Sequence, residues 1–251
     1  MLKDFAKKNF DLLLQAGQSN AEGSGFGDAE KPWTPNDNVW YLNRDLTITR
    51  AAETVDGNQI RSDFALGFAR QYLQQGRLAE GRRLLIIRSA MGGTGFLDHH
   101  WGPEDDHRAR MTEMVRTALA LNKENRLVAL LWHQGETDAI CGATYETHYR
   151  NLIAFVQSVR EAFNAPSLPF IAGDFVQQWK GENAEICAPV VEAIRAVCRD
   201  IGFAAFVETE GLLSNKQFAE TRGQASDDTI HFCRNALYTL GERYFSAFAA
   251  L

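Results

Sequence analysis

Asp11-Leu-Leu-Leu-Gln-Ala-Gly-Gln-Ser-Asn20 is the stretch on which the reading of this chain turns. Its apolar run is too short for a helix and suits a strand buried on both faces of a parallel sheet. The run stops at Gly17, and the polar segment that follows carries Ser19 ahead of Gly23, Gly25 and Gly27. Those glycines let the backbone leave by a tight turn, so Ser19 is expected in a turn at the C-terminal end of a strand. Open α/β sheets bind their ligands at the carboxyl ends of their strands. That makes the position chemically privileged if strands and helices alternate along the rest of the chain.

They do alternate. Apolar runs at residues 11–16, 39–42, 83–87, 127–132, 168–172 and 204–207 read as strands of ordinary length. Residues 63–75, 108–121, 145–163 and 184–199 space their apolar side chains three and four apart, as amphipathic helices do, and residues 235–249 supply a closing helix. A βα alternation implies a mostly parallel sheet, joined by right-handed crossovers and covered on both faces. The expected fold is therefore α/β, a three-layer α/β/α sandwich around a parallel sheet of about five strands. With no Pro/Gly/Ser-rich linker, repeat or shift in composition, residues 1–251 read as a single domain. The longest irregular connections, residues 25–38 and 92–106, are where binding and catalytic groups are expected.

Composition narrows the function. A chain of 251 residues, 45% hydrophobic and 23% charged, is that of an ordinary globular protein with a core large enough to need no staples. A net charge of -6 leaves no basic stripe for nucleic acid, and no apolar run approaches the roughly 20 residues that span a bilayer. Neither nucleic acid nor a membrane is an expected partner. Residues 1–10 scatter charges where a signal peptide needs an apolar stretch, so a cytoplasmic location is expected unless a signal has been removed. Cys141, Cys187, Cys198 and Cys233 are dispersed without a Cys-x-x-Cys pair, which argues against a zinc ribbon and fits reduced, mostly buried thiols.

Four polar blocks stand at predicted strand ends or in the last long loop. In order they are Gly17-Gln18-Ser19-Asn20, Ser89-Ala90-Met91-Gly92-Gly93-Thr94, Trp132-His133-Gln134-Gly135-Glu136-Thr137-Asp138 and Asp227-Asp228-Thr229-Ile230-His231. The set resembles the SGNH hydrolases. It is most similar to the branch of sialic-acid-specific acetylesterase-like and acetylxylan-esterase-like carbohydrate esterases, whose third block carries Gln where other branches carry Asn. The resemblance spans residues 11–232. It departs at Ala21, where the branch often has Met, a change that bears on the packing beneath the serine turn.

The resemblance implies an SGNH, flavodoxin-like sheet and a serine esterase that removes O-acetyl groups from carbohydrates through an acyl-enzyme on Ser19. A serine hydroxyl needs a base to take its proton, and His231 is the implied base. Asp228, three residues earlier on the same loop, is the implied acceptor for the other imidazole N–H, and Asp227 the less suited one. Attack on an ester creates an oxyanion, for which the family pattern supplies the Ser19 amide, an amide of the Gly92-Gly93 turn and the Gln134 side-chain NH₂. Which glycine donates is left open. This chemistry calls for no cofactor and no metal.

Competing readings are weaker. Glu136 and Asp138 suggest a glycosidase pair, but carboxylates one residue apart on a turn are usually structural, and Glu136 reads as a brace between loops. His99, His100 and His107 with Asp98, Asp105 and Asp106 lack the helical His-x-x-x-His spacing of a metal site. The glycines from Gly17 to Gly27 lack the endings of a nucleotide-binding loop, and Gly17-Gln-Ser-Asn-Ala21 misses the Gly-x-Ser-x-Gly elbow by one residue. Trp33, Trp101 and Trp179 lie in or beside predicted loops, where an aromatic face can cover a sugar ring or pack a loop on the core. The alternatives kept are a non-catalytic carbohydrate-binding protein on the same scaffold and a lipase or thioesterase, the latter disfavoured by the lack of a long apolar lid.

Overall fold

Leu12, Leu13 and Leu14 are fully buried, and the strand that carries them, β1 (Asn9–Gly17), runs through the middle of the sheet. A computed structural model describes residues 2–251. After β1 come a helical turn α1 (Ser19–Glu22), strands β2 (Val39–Leu42), β3 (Ile48–Arg50), β4 (Thr54–Asp56) and β5 (Gln59–Arg61), helix α2 (Phe64–Gln74) and strand β6 (Arg82–Arg88). The chain continues through α3 (Asp106–Ala120), β7 (Arg126–His133), α4 (Glu136–Ile140), α5 (Tyr145–Ala162) and β8 (Phe170–Gly173). It ends with α6 (Gln177–Glu182), α7 (Ala184–Asp200), β9 (Ala204–Val207), α8 (Asn215–Thr221) and α9 (Arg234–Ala249).

The main sheet has seven strands in the order β3-β2-β6-β1-β7-β8-β9, where about five were expected. All neighbours are parallel except β3, which lies antiparallel against β2 and forms the edge. Three residues, none of them fully buried, give β3 no apolar run to read, and its pairing comes from a short connection closed by Asn43 N–H on the Thr47 carbonyl. The separate β4–β5 hairpin is largely solvent-exposed, including its one apolar cross-strand pair, Val55 and Ile60. Right-handed crossovers put α3, α5 and α7 on one face, with α5 against α7, and leave the α2–α9 pair on the other. Burial at the far end of β1 includes Asp11, which accepts hydrogen bonds from Arg82, Arg126 and Tyr72 and is thereby paired as a buried charge must be.

Sheet order fixes where chemistry can occur. From β1 the chain goes to β2 and β3 at one edge, returns to β6 beside β1, then crosses to the other side for β7, β8 and β9. The carboxyl end of β1 is therefore the switch point, where loops diverge and leave a crevice. The loops that leave β1, β6 and β7 carry the first three polar blocks. Trp33, Trp101 and Trp179 are not sugar platforms: each is buried, Trp33 Nε1 donating to the Ala51 carbonyl and Trp101 Nε1 to Thr94 Oγ1. They pack long loops onto the core.

Candidate active site

Gly17 ends β1 with φ +124, and a Cβ there would lie 2.1 Å from the His133 carbonyl oxygen. Only glycine lets β1 close this tightly on β7, and Gln18 N–H donates to the same carbonyl at 2.9 Å. The chain then turns directly into α1, so Ser19 opens a single helical turn instead of sitting in an extended loop. Gly23, at φ +115, ends that turn in the left-handed region.

The fourth block meets this serine across 212 positions of sequence. Ser19 Oγ lies 2.9 Å from His231 Nε2, and His231 Nδ1 lies 2.9 and 3.0 Å from the two Asp228 carboxylate oxygens. With Nδ1–H donated to the carboxylate, Nε2 is left as the acceptor for the serine proton. Burial pushes the Asp228 carboxyl up, but hydrogen bonds from His231 and Asn215 outweigh it and hold the group below its ordinary value. Asp227 is exposed and takes no part.

Two asparagines that were not among the expected site residues set this geometry. Asn215, first residue of α8, donates to Asp228 Oδ2 at 2.8 Å and to the Ser24 carbonyl at 3.2 Å, so it orients the carboxylate against the serine turn. Asn20 donates to Glu136 Oε1 and to the Ile230 carbonyl and accepts from Phe232 N–H. Its side chain thus grips the residues on both sides of His231. The signal for Asn20 was its place in the serine block; Asn215 stands alone in sequence and had none.

The second and third blocks close the other side. Gly92 lies directly against the serine, since a Cβ on it would be 3.4 Å from Ser19 Cβ, whereas Gly93 at φ +70 borders open space. The Gly92 amide donates to Glu22 Oε2 at 2.7 Å. Gln134, fully buried, donates from Nε2 to Asp138 Oδ2 at 2.8 Å. Its amide has two protons, and the second makes no other bond.

Glu136 and Asp138 are anchors and do not face a cleft as a glycosidase pair would. Both are buried. Asp138 accepts from the Phe96 and Leu97 amides as well as from Gln134, which ties the third block to the loop after β6. Burial would raise its carboxyl, but contact with His148 and those amides outweighs that and lowers it. Glu136 goes the other way: burial raises it, with the Asn20 bond only partly opposing. Gln18 Oε1 accepts from Thr137 N–H at 3.1 Å, a further tie between the first and third blocks. The histidine-rich loop does not converge: His107 Nε2 contacts the Ser89 carbonyl and its Nδ1 lies 3.2 Å from Arg44. Among the described residues no group of three or more His, Cys, Asp or Glu side chains could hold a metal ion.

A serine at the switch point of an α/β/α sandwich, bonded to a histidine that a carboxylate orients, is the arrangement of the SGNH-like hydrolases. The family model described as carbohydrate esterase, sialic acid-specific acetylesterase, matches residues 9–250, and the chain belongs to that family. The fold is similar to the crystal structure of NanS, with a TM-score of 0.78 at 18% identity over 97% of each chain. It is similar also to the X-ray structure of an Arabidopsis thaliana protein, with a TM-score of 0.74 at 20% identity over 97% of this chain and 98% of that one. In sequence, a "probable carbohydrate esterase" of Arabidopsis thaliana is 26% identical over 178 residues, 64% of this chain and 66% of the relative, which is just under two thirds of its length.

Proposed function

We propose that the protein is a serine esterase that removes O-acetyl groups from carbohydrates through an acyl-enzyme on Ser19. The observation that carries the reading is the continuous hydrogen-bonded line from Ser19 Oγ through His231 to Asp228. Ser19 Oγ attacks the acetyl carbonyl while His231 Nε2 takes the hydroxyl proton, and Asp228 stabilises the imidazolium that forms. The carbonyl oxygen becomes an oxyanion between the Ser19 amide, the free Gln134 N–H and the Gly92 amide, once Glu22 has left that amide. The contact between Gly92 and Ser19 favours Gly92 over Gly93 as the donor, and the bond that the Gly92 amide donates to the Glu22 carboxylate, an anionic oxygen, supports that reading. Collapse expels the sugar hydroxyl, protonated by His231, and water then repeats the sequence to release acetate.

Membership of a carbohydrate esterase family supports the substrate class. The test is acetate release by the purified protein from acetylated xylo-oligosaccharides, O-acetyl sialic acids and a long-chain ester. Release from one sugar class with the long-chain ester untouched is the expected result. Hydrolysis of the long-chain ester alone would replace the reading with a lipase.

A further inference from the structure

Between residues 96–103, the start of α3 and helix α5 lies a cavity of about 360 Å³ that shares no lining residue with the candidate active site. Phe96, Trp101, Pro103, Ala154 and Phe155 supply its apolar lining, and its charged groups are two arginines, Arg108 and Arg150. Arg108 is only 7% exposed. Its guanidinium stacks 4.4 Å from the Phe155 ring centroid, and Nη2 donates to Ser158 Oγ at 2.7 Å. The other terminal nitrogen, Nη1, is buried without any hydrogen-bond partner.

A buried cation is costly unless something pairs it. Elsewhere the largely buried guanidiniums of Arg82 and Arg234 are paired, with Asp11 and Glu53. Among the described residues neither Arg108 nor Arg150 has a carboxylate within ion-pair distance, in a protein whose net charge is -6. Burial pushes the Arg108 guanidinium down to about 10, which still leaves it charged at neutral pH.

We infer that this cavity binds a small carboxylate with an aromatic body, its carboxylate on Arg108 Nη1 and its ring among Phe96, Trp101 and Phe155. The volume falls in the range of small-molecule sites, and aromatic walls with one placed charge are their usual composition. A carboxylate brings one negative charge to one buried guanidinium and suits its planar fork. A phosphate monoester brings nearly two, more than the single buried cation neutralises. Arg150 is exposed, so it steers the anion at the rim without being desolvated by it. The site is independent of the esterase chemistry.

The test is isothermal titration of the full chain with phenylacetate, phenylacetamide, acetate and inorganic phosphate. Phenylacetate should bind about tenfold or more tightly than each of the other three, because only it offers both ring and single charge. Arg108→Met should weaken phenylacetate about tenfold or more, and Arg150→Gln only about twofold to threefold. Ala154→Trp, at an exposed position of α5 on the cavity wall, leaves Arg108 intact and should weaken it about tenfold by filling the space. That variant and the amide comparison decide the matter if Arg108→Met does not fold. No binding of phenylacetate, equal binding of phenylacetamide, tighter binding of phosphate or unchanged affinity in Ala154→Trp would each overturn the inference.

Discussion

The two sides of Ser19 are built on opposite terms. On one side His231 and Asp228 have side chains 26% and 27% exposed, while on the other Gln134, Glu136 and Asp138 are buried. In the proposed cycle the open side is where the proton moves and where water enters for deacylation. The buried side holds atoms still: Asp138 accepts from Gln134 and from the amides of the loop after β6, and Glu136 Oε1 accepts from Asn20. Residue type alone does not separate the roles: Asp228 and Asp138 are both carboxylates held below their ordinary value. What separates them is whether the partner is a histidine facing a serine hydroxyl or a row of backbone amides.

The contrast breaks first at the open side. Ser19→Ala should lower kcat for a small acetate ester by about four orders of magnitude or more with an unchanged circular dichroism spectrum. Asp228→Asn should cost a similar factor, while exposed Asp227→Asn should leave kcat within about twofold. The reverse ranking of the two aspartates would reassign the acid.

Next comes Gln134, which belongs to both sides. Gln134→Ala should lower kcat about a hundredfold to a thousandfold with KM little changed, the loss of one oxyanion donor. Because the same substitution strips a donor from buried Asp138, it should also cost about 1–3 kcal/mol in urea unfolding. Stability would hardly change if Gln134 served the oxyanion alone, so the Asp138 contact predicts both losses together. A stability loss with kcat intact would assign Gln134 wholly to the buried side.

The buried side has its own pH signature. Burial pushes His133 down to about 3, so between its ordinary value and about 3 the unfolded chain takes up a proton that the native state refuses. Stability from this group is full at neutral pH and is lost as pH falls through that window, by up to about 1.4 kcal/mol per pH unit. Glu136, raised by burial, has the opposite sign: its native state binds the proton more readily, so acidification between its unfolded and folded values stabilises. Urea midpoints between pH 7 and 4 should flatten with pH in His133→Gln and steepen in Glu136→Gln. Equal slopes in both variants would contradict the burial account.

The smallest effect is expected at Glu22. Glu22→Ala removes the carboxylate that competes for the Gly92 amide and should raise kcat/KM by about threefold to tenfold at unchanged stability. A fall in activity would instead make Glu22 a substrate contact.

The parts of this molecule with a strong local signature were legible in the sequence. Leu12–Leu14 had to be buried on both faces and Gly17 had to end their strand, readings that follow from period and backbone freedom, whereas the helical turn that Gly23 closes was read only as a turn. Three of the four blocks were legible because they begin at or just after the end of a strand, β1, β6 or β7, and the fourth because its Asp and His stand three residues apart in the last long loop. Residues whose importance is a long-range hydrogen bond were not. Asn215 reaches Asp228 from the start of α8, Asp138 reaches the Phe96 and Leu97 amides from 42 and 41 residues away, and no pattern around either one reports it. Strand β3 was missed because edge pairing supplies what its three residues lack in burial. The tryptophans were ambiguous because loop residues that cover a ligand and loop residues that cover a core have the same composition.

The central claim is that His231 makes Ser19 a nucleophile. The most direct measurement is covalent labelling by a serine-directed organophosphonate, followed by peptide mapping, in the wild-type protein and in His231→Ala. The account predicts a single adduct on Ser19 whose rate of formation falls by about a thousandfold or more without the histidine. An adduct on another residue, or labelling of Ser19 at the same rate in His231→Ala, would contradict it.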